Sequence, residues 1–129
     1  MKKVGVGLIG SQFICSIHAD SLKKIRDAEM RAVMSPTPGH AQKFAEAHQI
    51  PHHFTDLEEM LALEDIQMVV IGAPNYLHCD ITLKAAAAGK HIVVEKPFCM
   101  NMAEADRMID ACKEAGVKLM YAEELCFTP

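Results

Sequence analysis

No apolar stretch of the 129-residue chain approaches the roughly 18 to 20 residues that a membrane-spanning helix needs. No leader peptide is expected either. Met1, Lys2 and Lys3 could open one, but Gly5, Gly7 and Gly10 interrupt the apolar run and no small-residue cleavage site follows. Positive charge is not in excess: 13 Lys and Arg against 17 Asp and Glu give a formal net charge of −4. That balance argues against a nucleic-acid footprint. The five cysteines (Cys15, Cys79, Cys99, Cys112 and Cys126) include no C-x-x-C pair and are odd in number, which fits a reducing compartment rather than a disulfide framework. Internal repeats and low-complexity linkers are missing too, so no internal boundary is expected. What is present is ordinary for a globular domain: half the residues are apolar and 23% are charged, enough to bury a core. The expectation is one soluble, cytoplasmic domain with neither a nucleic-acid nor a membrane partner.

The apolar pattern alternates between two periods. Val4 to Ile9 is short, nearly all apolar and bounded by Gly10, as a strand covered on both faces should be. Ile14, Ile17, Leu22 and Ile25 follow at roughly helical spacing. "EMRAVMS" is a second strand, stopped by Pro36 and Pro38, and a helix over residues 39–48 ends before Pro51. Thr55 with Glu58 has capping-box form and opens a short helix to about Leu63. "IQMVVIGAP" is a third strand, residues 76–88 form a helix stopped at Gly89, and "HIVVEKP" is a fourth strand. Asn101 with Glu104 repeats the capping logic ahead of a stripe of Ala105, Met108, Ile109 and Cys112. Gly116 ends that helix before a fifth strand, "VKLMYA". Strands alternating with helices, and apolar throughout, predict an α/β fold: a doubly wound, mostly parallel sheet with helices on both faces.

"VGVGLIG" contains a literal G-x-G-x-x-G from Gly5 to Gly10, the dinucleotide-binding fingerprint. That fingerprint works only where a strand ends and a helix begins. If Gly5 opened the loop, the strand would shrink to residues 1–4, and Val6, Leu8 and Ile9 would be spent on a turn. The literal match is a decoy. The loop expected to cradle phosphates is Gly10-Ser11-Gln12-Phe13-Ile14-Cys15, a G-x-Q-x-x-C in which Cys15 stands for the third glycine. Gln12 puts a Cβ where backbone should approach the ligand, which the loop tolerates if its φ stays negative and its amide hydrogen-bonds the ligand. The amides of Gln12 and Phe13 at the helix start favour an anion.

The second strand also lacks something. A carboxylate near its end ordinarily holds the adenosine ribose hydroxyls, but here the strand runs into Ser35, Pro36, Thr37, Pro38, Gly39 and His40. No carboxylate there repels a 2′-phosphate, and Ser35 and Thr37 could donate to it, aided by His40. No Arg is available to clamp it. NADP is slightly favoured over NAD.

Four segments in order — the Gly10 loop, "APNYLH", "AGKHIVVEKP" and "AGVKLMYAEE" — together resemble the nucleotide-binding part of the glucose-fructose oxidoreductase / inositol 2-dehydrogenase (Gfo/Idh/MocA) family. The resemblance covers essentially the whole chain and rests most on E-K-P at a strand end with P-N-x-x-H one unit earlier. It implies a Rossmann-type domain over residues 1–122, with residues 123–129 beginning the connection to a substrate domain that this chain does not contain. It implies NAD(P) lying across the strand ends. Ala73, Pro74, Asn75 and His78 would line the adenosine–ribose side and the bridge, while Glu95, Lys96 and Pro97 would stand near the nicotinamide. Lys96 matches the family's usual contact to the reacting oxygen of a sugar or polyol substrate, and Pro97 biases it toward an extended backbone. Such an ammonium can hydrogen-bond an alkoxide as charge develops during hydride transfer. Assembly of identical subunits would use the further domain. The family often has Asn-Arg after the last strand where this chain has Glu124-Leu125-Cys126. A non-catalytic dinucleotide-sensing module is the rival reading. A receiver or flavodoxin-like domain ranks last, because Gly10-Ser11-Gln12 lacks the acidic cluster that receivers need.

Other side chains read as structure. His52 and His53 are adjacent, point to opposite faces of an extended segment, and give no metal site. His18 is expected to pack, the nine methionines to fill core, and Cys99, which has no base partner, to be a semi-buried thiol.

Overall fold

The computed structural model describes residues 2–122. The expected connection over residues 123–129, with Glu124-Leu125-Cys126, lies outside them. Six strands form a single sheet: β1 (Val4–Ile9), β2 (Ala28–Met34), β3 (His52–Phe54), β4 (Met68–Ile71), β5 (His91–Glu95) and β6 (Leu119–Ala122). Every pairing is parallel, and the spatial order is β3-β2-β1-β4-β5-β6. The chain therefore builds outward from β1 in one direction, then crosses back and builds in the other.

Crossovers between parallel strands are right-handed as a rule, and with that reversal they give two helix layers. α1 (Phe13–Leu22) and α2 (His40–His48) pack on one face, where Cys15, Ala19, Leu22, Ala41 and Phe44 bury against Val6, Leu8 and Val33. α3 (Leu57–Leu61), α4 (His78–Ala87) and α5 (Met102–Ala115) cover the other, where Met60, Ile81, Met108 and Cys112 meet Ile9, Ile71 and Val94. β1 shows the division along one strand, because side chains alternate across a sheet: Val6 and Leu8 face α1 and α2, and Ile9 faces α3 to α5.

The sequence pattern located these elements, with corrections. β3 was not expected. It is three residues long, with His52 and His53 exposed, so no apolar period announces it; pairing with Ala32, Val33 and Met34 makes it a strand. The stripe of α1 is Cys15, Ala19 and Leu22; Ile17 lies off that face and Ile25 beyond the helix end at Leu22, and both are exposed. α3 is capped by Asp56, not Thr55. Its carboxylate accepts from the amides of Glu58 (2.8 Å) and Glu59 (3.2 Å), two bonds that a hydroxyl could not match in strength. The helix expected over residues 76–88 begins as a single 3-10 turn, Asn75–Leu77, ahead of α4.

The expected caps of α5 are present. Asn101 Oδ1 accepts from Glu104 N, Glu104 Oε1 accepts from Met100 N, and Gly116 closes the helix at φ 71°. The stripe is Ala105, Met108 and Cys112, with Ile109 left exposed.

Candidate functional site

Gly5 and Gly7, the first two glycines of the literal fingerprint, lie inside β1 and serve packing. A Cβ on Gly5 would run into the carbonyl of Asp65, and one on Gly7 would crowd Met60 and Ile66. Gly10 is the turn. Its φ of +116° is closed to other residues, and a Cβ there would sit 2.9 Å from the Gly72 oxygen and 3.2 Å from the Cys15 sulfur. Gly10 N donates to Met34 O and Gly72 N to Ile9 O, so the ends of β2, β1 and β4 are stitched together there.

Cys15 completes the corner. Its buried thiol donates to Ile9 O at 3.7 Å, and a Cβ on Gly72 would stand only 2.5 Å from its sulfur. α1 thus lies close on the sheet, as a small third residue permits. Gln12 is the N-cap, with the negative φ (−87°) that the sequence required of it, and makes no side-chain cap bond. Phe13 and Ile14, the first two helical residues, have amides with no carbonyl one turn back.

Burial first, and the Glu95 carboxylate second, push the Cys15 thiol from 9.0 up to about 12. Between those values the folded chain keeps a proton that the unfolded chain releases, so stability falls as pH rises. Each unit is worth about 1.4 kcal/mol. Urea unfolding at pH 8 and pH 10.5 should show a loss of about 2 kcal/mol from this thiol, and Cys15→Ala should reduce that loss. Equal pH slopes for both chains would refute the assignment.

Outside the carboxyl ends of β1, β2 and β4 lies a cleft of about 390 Å³. One wall is Gly10, Ser11 and Gln12, the second is Ser35, Pro36 and Thr37, and the third is Gly72, Ala73 and Pro74; Leu57, Tyr76 and Ile81 floor it. This is where the strand order reverses direction, the switch point at which open α/β sheets bind ligands. Its lining is largely apolar, with hydroxyls at Ser11, Ser35, Thr37 and Thr55. That donor set suits a planar base and a ribose. The residues fit the adenosine half of a dinucleotide, and the first amides of α1 lie next to the Gly10–Gln12 wall. Thr55, Leu57, Tyr76 and Ile81 escaped the sequence reading because nothing local marks a residue whose partners lie on other strands.

The other expected site residues lie outside that cleft. His40 lines an adjoining groove between α1 and α2. Asn75 opens the 3-10 turn behind Pro74. His78 is 1% exposed, with Nδ1 2.8 Å from Pro97 O and Nε2 2.9 Å from Ala73 O. Carbonyls only accept, so a neutral ring donates to one of them and a protonated ring to both. His78 therefore ties the loop after β4 to the loop after β5, rather than facing the cleft. Glu95, Lys96 and Pro97 stand at the end of β5, three strand spacings from the end of β2, roughly 14 Å. Lys96 is exposed, and its peptide bond to Pro97 is cis.

His18 does more than pack. Its Nε2 lies 2.8 Å from Glu95 Oε1, while Glu95 Oε2 accepts from Lys96 N at 3.1 Å. The pair joins residues 77 apart in sequence and bolts α1 to the strand that leads to Lys96. Spacing alone could not have revealed it. Among the described residues, no group of three or more His, Cys, Asp or Glu could hold a metal ion, and no helix is long and apolar enough to cross a membrane.

Residues 4–123 match the family model described as "Oxidoreductase family, NAD-binding Rossmann fold" (GFO_IDH_MocA). The chain belongs to the Gfo/Idh/MocA oxidoreductase family. Among curated relatives it is 38% identical over 122 residues to scyllo-inositol 2-dehydrogenase (NADP(+)) IolU of Bacillus subtilis, covering 95% of this chain and 37% of that protein. It is 32% identical to 2,7-anhydro-N-acetylneuraminate hydratase of Mediterraneibacter gnavus, covering 98% of this chain and 33% of that protein. The crystal structure of GenD2 from gentamicin A biosynthesis, in complex with NAD, superposes with a TM-score of 0.95 at 26% identity, over 100% of this chain and 37% of that one. The chain thus spans about a third of the length of these relatives. The fold is the Rossmann-type α/β sheet that the sequence pattern predicts, and the family is the one that the E-K-P and P-N-x-x-H segments resemble.

Proposed function

We propose that this chain binds NAD(P) across the carboxyl ends of its strands, as the nucleotide-binding part of an oxidoreductase. The enzyme would pass hydride between nicotinamide C4 and the carbinol carbon of a sugar, polyol or related hydroxy compound. The carrying observation is the cleft at the strand reversal, where the Gly10 corner, residues 35–37 and the Gly72 turn meet around about 390 Å³. Family membership and the polyol dehydrogenase among the relatives support the same reading.

The division of labour follows from position. Gly10, Ser11 and the first amides of α1 would hold the diphosphate, with Phe13 and Ile14 opening the helix. Ala73 and Pro74 would press on the adenosine, with Asn75 behind them. His78 would keep the two flanking loops in register. The bound nicotinamide supplies the hydride donor or acceptor. Lys96 would hydrogen-bond the substrate oxygen, steadied by the Glu95 carboxylate on its own amide. NADP is favoured over NAD, because Ser35 and Thr37 stand where a ribose-binding carboxylate would repel a 2′-phosphate, and one relative is named for NADP(+). The four described cysteines are free, which supports a reducing, cytoplasmic setting.

Titrating the chain with NADH and with NADPH while following nicotinamide fluorescence tests the reading. Saturable enhancement is expected with at least one nucleotide. No response to either at millimolar concentration would overturn it.

A further inference from the structure

Glu95 is the last residue of β5, its side chain is only 11% exposed, and both carboxylate oxygens are engaged. Oε1 faces His18 Nε2 at 2.8 Å, and Oε2 accepts from the Lys96 amide at 3.1 Å. His18 comes from the second turn of α1, three residues after Cys15, so the two share a face of that helix. That face is turned toward the end of β5, because the Glu95 charge reaches the Cys15 thiol as well. The same helix opens beside the Gly10 corner, where its first amides have no carbonyl partner one turn back. His18 itself does not line the cleft.

We propose that His18 is a positioning residue for Lys96: it fixes the Glu95 carboxylate, and that carboxylate fixes the backbone of the lysine. The inference rests on the reading of Lys96 above and goes one residue beyond it. A carboxylate this far from water needs a donor on each oxygen. Without His18, Oε1 is left unpaired, so Glu95 gains by rotating toward solvent, and that rotation releases the Lys96 amide. A histidine that served packing alone could bond backbone carbonyls, as His78 does. His18 instead meets the one carboxylate that also holds the lysine. Because α1 carries the amides proposed to hold the diphosphate, a single rigid helix then sets the distance between nucleotide and lysine. Such distances matter: a misplacement of about 1 Å can cost on the order of 100-fold in rate.

Amide hydrogen exchange in the 129-residue chain, without nucleotide, is the first test. His18→Ala should speed exchange of the Lys96 amide about tenfold. The Ile92 amide, bonded to Lys118 O at 2.9 Å nearer the start of β5, should change less than about twofold, which also shows that the variant is folded. His18→Gln, which offers an N–H of its own to Glu95, should keep the Lys96 amide protected. In an active enzyme carrying this chain, His18→Ala should lower kcat about tenfold with the KM for nucleotide within about threefold, and His18→Gln should recover most of the loss. Glu95→Ala should lower kcat too, and adding His18→Ala to it should cost no more than about twofold further. Unchanged exchange at Lys96, or equal acceleration at Ile92, would overturn the proposal and leave His18 a structural residue. A raised KM with kcat intact, or fully additive losses, would overturn it as well. Each of these results leaves Lys96 itself standing, whereas a kcat unaffected by Lys96→Met would bring down both readings.

Discussion

Gly5→Ala will cost about 3 kcal/mol of stability or more, although Gly5 touches no part of the cleft. The new Cβ would run into the Asp65 carbonyl, with Arg31 also crowding it. Neither neighbour can give way cheaply. Gly5 is hydrogen-bonded on both sides to Gln67, through its N–H to Oε1 at 2.6 Å and through its oxygen to the Gln67 amide at 2.9 Å. Asp65 is itself held by Arg31, Nε to Oδ2, at 2.8 Å. Accepting the methyl group therefore means moving β1 or the segment that leads into β4, and both belong to the centre of the sheet. Gly39→Ala is the control: its φ of +85° strains alanine, but a Cβ there meets nothing within 4 Å. About 1 kcal/mol is expected for it, from backbone strain alone. Urea titrations of the three chains decide the matter. If Gly5→Ala unfolds at the same urea concentration as the parent, then the first glycine of the literal fingerprint has no packing role.

Lys96→Met, introduced into an active enzyme carrying this chain, will lower kcat by about 100- to 1000-fold. That is the usual loss when one donor to a developing oxyanion is removed. The KM for nicotinamide nucleotide should stay within about threefold, because the proposed nucleotide contacts lie at the Gly10 corner and in the cleft, and Lys96 is outside both. The split between the two constants carries the information. Lys96 stands at the end of β5, exposed, with its amide held by Glu95 and Glu95 held in turn by His18. Methionine keeps most of the side-chain bulk and leaves the backbone bond to Glu95 intact, so the change isolates the ammonium. An unchanged kcat with a raised KM would show a binding role instead of a catalytic one.

Local signals in the sequence were enough for the framework. The period-2 and period-3.6 runs, the caps at Asn101 and Gly116, and the strand residues that Gly10 terminates all act between near neighbours, and they place five of the six strands and every helix. The same logic separates the decoy glycines from the real corner, because Val6, Leu8 and Ile9 are too good as core residues to be spent on a loop. What escaped depends on partners distant in sequence. β3 is a strand only because β2 pairs with it. His18 meets Glu95 across 77 residues, and His78 turns inward to two carbonyls.

The sequence by itself determined the order of every helix and of all strands but β3, the position of the turn at residue 10 and the membership of the chain in its family, since each depends on residue types at fixed short spacings. Only the tertiary structure decided which side chains share a surface. A parallel sheet brings strand ends together across crossovers of many residues, and no short-range pattern records which residues meet there.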